Sequence, residues 1–146
     1  MASNLNVTIH IDGGSRGNPG PAGAGVVLRD DQGTILYQGG LYIGRATNNV
    51  AEYSGLLAGL KAAAELKASK VRVVSDSELL VRQMNGQYRV KNEGLKPLFE
   101  QARELAGQFS SCAFQHVRRE LNKEADHLVN QAIDARRNVE DAAGSQ

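Results

Sequence analysis

The sequence predicts an α/β fold: a five-stranded mixed sheet flanked by helices, in which an antiparallel meander of strands 1-2-3 is joined to parallel strands. Three observations carry this. Apolar stretches of strand length recur at residues 7–11, 24–28, 34–38 with 41–43, 71–75 and 112–117. The first three are separated only by turns, which implies antiparallel neighbours. A long helical pattern then precedes the fourth strand, and strand–helix–strand order implies a crossover and parallel pairing.

In the first strand Val7, Ile9 and Ile11 alternate with Thr8 and His10, the period of a strand with one buried face. Asp12 follows where the strand should emerge, and Gly13, Gly14, Gly17 and Gly20 make a glycine-rich turn that lets backbone come close to whatever Asp12 faces. Residues 24–28 form the second strand, Asp30, Asp31, Gln32 and Gly33 a turn, and residues 34–38 the third. Leu41, Tyr42 and Ile43 continue it after a bulge at Gly39 and Gly40. Thr47 or Asn48 caps a long helix whose apolar positions Val50, Tyr53, Leu57, Leu60 and Ala64 run to about Lys67. The fourth strand, 71–75, again ends on an acid, Asp76. Ser77 caps a short helix, 78–84, that stops at Asn85 and Gly86. After a polar linker, Leu98, Ala102 and Leu105 mark a third helix. Residues 112–117 are the fifth strand, and Ala125, Leu128, Val129, Ala132 and Ile133 are the buried stripe of the last helix.

A chain of 146 residues is about one domain, placed at residues 1–137, with 138–146 a disordered tail. A net charge of +1 argues against a protein that coats nucleic acid, yet allows a nuclease that carries acids in its own site. The lone Cys112 excludes an internal disulfide and reads as a small buried thiol. No signal peptide or apolar span is visible, so the chain is expected to be soluble and cytoplasmic.

Four acids occupy positions this layout can bring together. Asp12 and Asp76 end strands, and in open α/β sheets ligands lie beyond the carboxyl ends of the strands. Glu52 and Asp126 lie near helix starts, where an acid also complements the helix dipole. That explanation covers either helix acid singly but not the two strand acids. Clustered carboxylates need cations or shared protons at neutral pH. Oxygen-only ligands select hard ions, Mg²⁺ or Mn²⁺. Two such ions, about 4 Å apart, serve phosphodiester hydrolysis without a covalent nucleophile.

Together, Asp12-Gly-Gly-Ser-Arg-Gly-Asn18, Thr47-Asn-Asn-Val-Ala-Glu52, Ser75-Asp76-Ser77 and Asn122-Lys-Glu-Ala-Asp126 resemble type 1 ribonuclease H, in order over residues 5–135. The resemblance implies the ribonuclease H-like fold and hydrolysis of the RNA strand of RNA·DNA hybrids with two Mg²⁺ ions (Mn²⁺ substituting), leaving a 5′-phosphate and a 3′-hydroxyl. It assigns Asp12, Glu52, Asp76 and Asp126 to metal. It places Gly13, Gly14, Ser15, Asn18, Asn48, Asn49 and Ser77 at the hybrid, and Arg45 and Thr47 at a phosphate of the DNA strand. The 2′-hydroxyl is what distinguishes the RNA strand. Local capping and turn formation also account for the asparagines.

Two departures stand out. The best-known bacterial form has a loop histidine before the last carboxylate, whereas here the loop is Arg118, Arg119, Glu120 and Leu121; Arg119 is the candidate to fill that space, and His116 falls inside the strand. The basic, tryptophan-bearing helix of some members is missing, and the chain has no Trp. Arg82, Arg89, Lys91, Lys96 and Arg103, against Glu93 and Glu100, offer a modest basic substitute or simply a solvated face. The alternatives are a non-catalytic hybrid-binding domain and a DNA-cleaving nuclease of the same fold. A P-loop is excluded, because residues 13–25 contain no Gly-Lys-Ser/Thr. The expected state is a monomer with no obligatory protein partner.

Overall fold

A computed structural model describes residues 4–140. Its elements in chain order are β1 (Asn6–Ser15), β2 (Gly20–Asp30), β3 (Ile35–Ala46), α1 (Asn48–Glu65), β4 (Lys70–Ser75), α2 (Glu78–Met84), α3 (Lys96–Ala106), β5 (Ser111–His116), α4 (Lys123–Ala135) and β6 (Val139–Glu140). The strands form one sheet in the order β5-β4-β1-β2-β3-β6, with β1, β2 and β3 antiparallel and β1, β4 and β5 parallel.

Strand alternation sorts the helices onto two faces. On β2, a side chain at Gly25 would strike the Ala125 carbonyl of α4, whereas its neighbour Val26 lies against Gly59 of α1. On β1, Ile9 and Ile11 likewise face Gly59. The main core therefore lies under α1, where Ile9, Ile11, Val26, Leu28, Tyr53, Leu56 and Leu60 are fully buried. The second layer is α4, set close on β2 and β3 because Gly25 and Gly40 present bare backbone to it. Ala125, Leu128, Val129, Ala132 and Ile133 are its buried stripe, as their spacing predicts. Ala51, Leu56 and Ala63 join the expected stripe of α1, while Val50 and Ala64 are half-buried.

The sheet has six strands where five were expected. Val139 and Glu140, inside the expected tail, pair with Gly40 and Gly39 of β3, and Asn138 Oδ1 accepts from Tyr42 N at 2.8 Å. The rest of that tail, 141–146, lies outside the described residues. A second correction concerns Asp12, which does not end its strand. β1 continues to Ser15 because β2 starts early, at Gly20, and pairs with it through Ser15 and Ala22. It is the parallel partner that stops, since the β1–β4 ladder ends at Ile11 and Ser75. The irregularities of β3 also fall elsewhere: Gly39 and Gly40 pair regularly, and the register shifts occur opposite Ala22/Gly23 and Leu28/Arg29, leaving Ile43 and Leu36 as the extra residues. Cys112 is half-buried rather than buried, and burial pushes its thiol up to about 11, an unreactive state. No helix among the described residues is long and apolar enough to cross a membrane.

Candidate active site

Asp12 sits on β1 one residue past the point where β4 leaves it, and Asp76 is the first residue after β4. The two carboxylates thus share the notch opened by the departing strand. Glu52 is the fifth residue of α1, brought in by the close approach of that helix to Gly13. One carboxylate oxygen each from Asp12, Glu52 and Asp76 lies within 4.8 Å of the others. Asp126, the fourth residue of α4, hydrogen-bonds to Asp12 and completes the group.

The acids raise one another. Burial, then the charge of Asp76 and the hydrogen bond with Asp126, push Asp12 up to about 8, against the pull of the Gly13 N–H. Burial pushes Glu52 up to about 7; a hydrogen bond from Ser77 opposes this, and the charge of Asp76 adds to it. Asp76 is also raised, mainly by burial, with the Arg119 guanidinium pulling it down. Asp12 is thus raised further than Glu52. An all-oxygen donor set this close and partly buried fits divalent hard cations.

A cleft of about 620 Å³ joins these acids to Gly13, Gly14, Ser15, Asn48, Asn49 and Arg119. Asn18, Arg45 and Thr47 are exposed and lie outside its lining. Thr47 is the true N-cap of α1, its Oγ1 accepting from Val50 N at 3.2 Å. Ser77 sits below the rim, where its hydroxyl accepts from Leu80 N as the cap of α2 and donates to Glu52. His116 is exposed at the end of β5. Arg119 begins a single 3₁₀ turn, Arg119–Leu121, in the expected loop.

The turn of residues 16–19 is tied down on both sides. Asn48 Oδ1 accepts from Ser15 N at 2.7 Å, and Asn18 Oδ1 accepts from Asn48 N at 3.0 Å. Because both oxygens face backbone donors, both side-chain amino groups remain as donors, unpartnered among the described residues. Arg16, unnoticed in the sequence, reaches Asp134 at 2.6 Å and Asn130 at 3.3 Å on α4. Tyr53 and Gln83, whose hydroxyl and amide oxygen meet at 2.7 Å inside the core, join α1 to α2 beneath the cleft. Neither pair has a local spacing that could reveal it.

The family model described as reverse transcriptase-like matches residues 10–132. The bifunctional protein Rv2228c of Mycobacterium tuberculosis is 51% identical over 132 residues, which are 90% of this chain and 36% of that protein. The chain thus spans about a third of that relative's length. The crystal structure of RNase H1 from the archaeon Halobacterium salinarum is 42% identical with a TM-score of 0.86, over 89% of this chain and 98% of the other. LC11-RNase H1, solved in complex with an RNA/DNA hybrid, is 44% identical with a TM-score of 0.85, over 89% of this chain and 98% of the other. A family model over residues 10–132 and two structural matches above 40% identity, each covering nearly the whole of the matched chain, agree: the chain belongs to the type 1 ribonuclease H family.

Proposed function

We propose that this chain is an endonuclease that hydrolyses the RNA strand of RNA·DNA hybrids, yielding a 5′-phosphate and a 3′-hydroxyl. The observation that carries the reading is the convergence of four carboxylates, from β1, α1, the end of β4 and α4, on a cleft rimmed by amide donors. Asp12, Glu52, Asp76 and Asp126 would hold two Mg²⁺ ions, with Mn²⁺ as a substitute. Bound there, the ions would supply an activated water and charge stabilisation for the leaving oxygen.

The chain's own residues do the rest. Burial and mutual repulsion leave the acids poised to release protons in exchange for cations. The amino groups of Asn18 and Asn48, left over once their oxygens accept from backbone, are assigned as donors for the acceptor atoms of a minor groove, Asn48 from the cleft and Asn18 from the turn bonded to it. Residues 13–15 and Asn49 are assigned to the sugar edge. Arg45 and Thr47, exposed beside this rim, are assigned to a phosphate of the DNA strand. Arg119, which lines the cleft and acts on the Asp76 charge, is assigned as a cation for the product phosphate, the role of a loop histidine. Ser77 acts through Glu52. The reading includes a monomer working in the cytoplasm, with residues 1–137 as the catalytic domain.

LC11-RNase H1, a 44% identical structure bound to hybrid, supports the substrate class. The test is a strand-resolved cleavage assay on end-labelled hybrid, double-stranded DNA and double-stranded RNA with Mg²⁺ or Mn²⁺, beside Asp12→Asn. RNA-strand cleavage of the hybrid alone, lost in Asp12→Asn, is expected. Full activity in that variant, or cleavage of DNA instead, overturns the reading.

A further inference from the structure

Asn122 occupies the N-cap position of α4, where an asparagine side chain ordinarily accepts from a first-turn N–H. It makes no such bond. Its Nδ2 instead donates across the molecule to the Ile11 carbonyl at 2.7 Å, and the residue is 2% exposed. Ile11 is the last residue of β1 in register with β4 and the residue before Asp12, so this carbonyl lies where the parallel ladder runs out. The backbone of Asn122 extends the same link. Its carbonyl accepts from Asp126 N at 3.2 Å, and its N–H donates to the Arg119 carbonyl at 3.0 Å.

One side chain and its own peptide groups therefore join the strand of Asp12, the first turn that carries Asp126, and the 3₁₀ turn that carries Arg119. The arrangement has a cost. Asn122 Oδ1 is buried without a partner among the described residues, an unfavourable state that an ordinary helix cap would avoid. The fold gives up the cap and keeps the long-range link.

We infer that Asn122 is a positioning residue that fixes Asp126 and Asp12 relative to one another, and so sets cation affinity and turnover while leaving the grip on the hybrid to other residues. The inference rests on the nuclease reading above. In the full chain, Asn122→Ser separates helix capping from positioning, because serine can cap α4 from this position but is too short to reach Ile11. Expected results are a folded protein by circular dichroism, an unchanged KM for hybrid, and kcat lowered about 10–100-fold. Calorimetric titration with Mn²⁺ alone should show affinity weakened by a similar factor. Wild-type kcat and Mn²⁺ affinity in Asn122→Ser overturn the inference, as does a loss of thermal stability with no change in metal binding. If Asn122→Ser does not fold, Asn122→Asp, which keeps the size and loses the donor, is judged by the same titration. If the wild-type chain fails to cleave hybrid, the nuclease reading fails, and the Mn²⁺ titration still decides for or against Asn122.

Discussion

Gly13 sets the distance between Asp12 and Glu52: a Cβ at Gly13 would overlap the carbonyl carbon of Ala51 and the nitrogen of Glu52. Bare backbone on β1 thus lets α1 descend until a helical carboxylate reaches a strand carboxylate. Gly13→Ala must push α1 outward against packed neighbours, an overpacking cost of about 1–3 kcal/mol. Thermal unfolding should show that loss, and hybrid cleavage should fall by far more than stability does, because the displaced residue is Glu52. Gly107→Ala is the control, since it lies outside the cleft lining and its nearest contact would be the Arg103 carbonyl at 3.5 Å. Equal effects from the two substitutions would refute the argument.

The carboxylate cluster should make metal-free stability fall as pH rises. Asp12 is raised from 3.8 to about 8 and Glu52 from 4.5 to about 7, so the folded state binds more protons than the unfolded chain between pH 4 and 8. Stability is then fullest below the unfolded values and declines as each group is forced to ionise in place. In EDTA the Tm should drop steadily over this window. Mg²⁺, which takes over the protons' role, should flatten the slope. Asp12→Asn should melt higher than wild type at pH 8 in EDTA, gain little from Mg²⁺, and be inactive. A flat Tm between pH 5 and 8 without metal would contradict the electrostatic account.

How much of this was legible in the sequence depends on the range of the interaction involved. The buried stripe of α4 follows from its spacing, and α2 is bounded by Ser77 and Asn85-Gly86 through local chemistry, so both were readable. The four acids were readable as a group because the end of the β1–β4 ladder and the starts of two helices meet at one rim, although Asp12 lies within β1 rather than at its end. The length of β1 was not, because its partner β2 opens with glycine, proline and alanine, poor strand formers held in the ladder by tertiary contacts. β6 has two residues and no period to detect. Asn122 read only as part of a motif, because its amide spans 111 residues to Ile11, a contact no local spacing reveals. Arg16 with Asp134, and Tyr53 with Gln83, are hidden for the same reason.

The Arg119 charge pulls the Asp76 carboxyl down, against the burial that raises it. Arg119→Ala should lower kcat with little change in KM for hybrid. It should also move the acidic limb of the kcat–pH profile upward, because Asp76 then ionises less readily. Arg119→Lys, which keeps the charge, should restore the limb more fully than the rate if the planar guanidinium also grips phosphate. Arg118→Ala, one position outside the cleft lining, should leave the profile unchanged. An unshifted limb in Arg119→Ala would remove Arg119 from the site.

The short strand β6 was expected to be loose tail, and its contacts predict a structural role separate from catalysis. Asn138 accepts from Tyr42 N at 2.8 Å, and Val139 lies over the bare Gly40. Truncation after residue 137 removes these pairs and exposes the glycine edge of β3, far from the four acids in sheet order, since β2 and β3 intervene between β1 and β6. The shortened chain should lose about 1–2 kcal/mol in urea unfolding, the scale of two or so hydrogen bonds with partial apolar cover. Its kcat and KM for hybrid at 25 °C should equal those of the full chain. Asn138→Ala should give part of the loss, and a fall in kcat from either change would show that the edge of β3 communicates with the cleft.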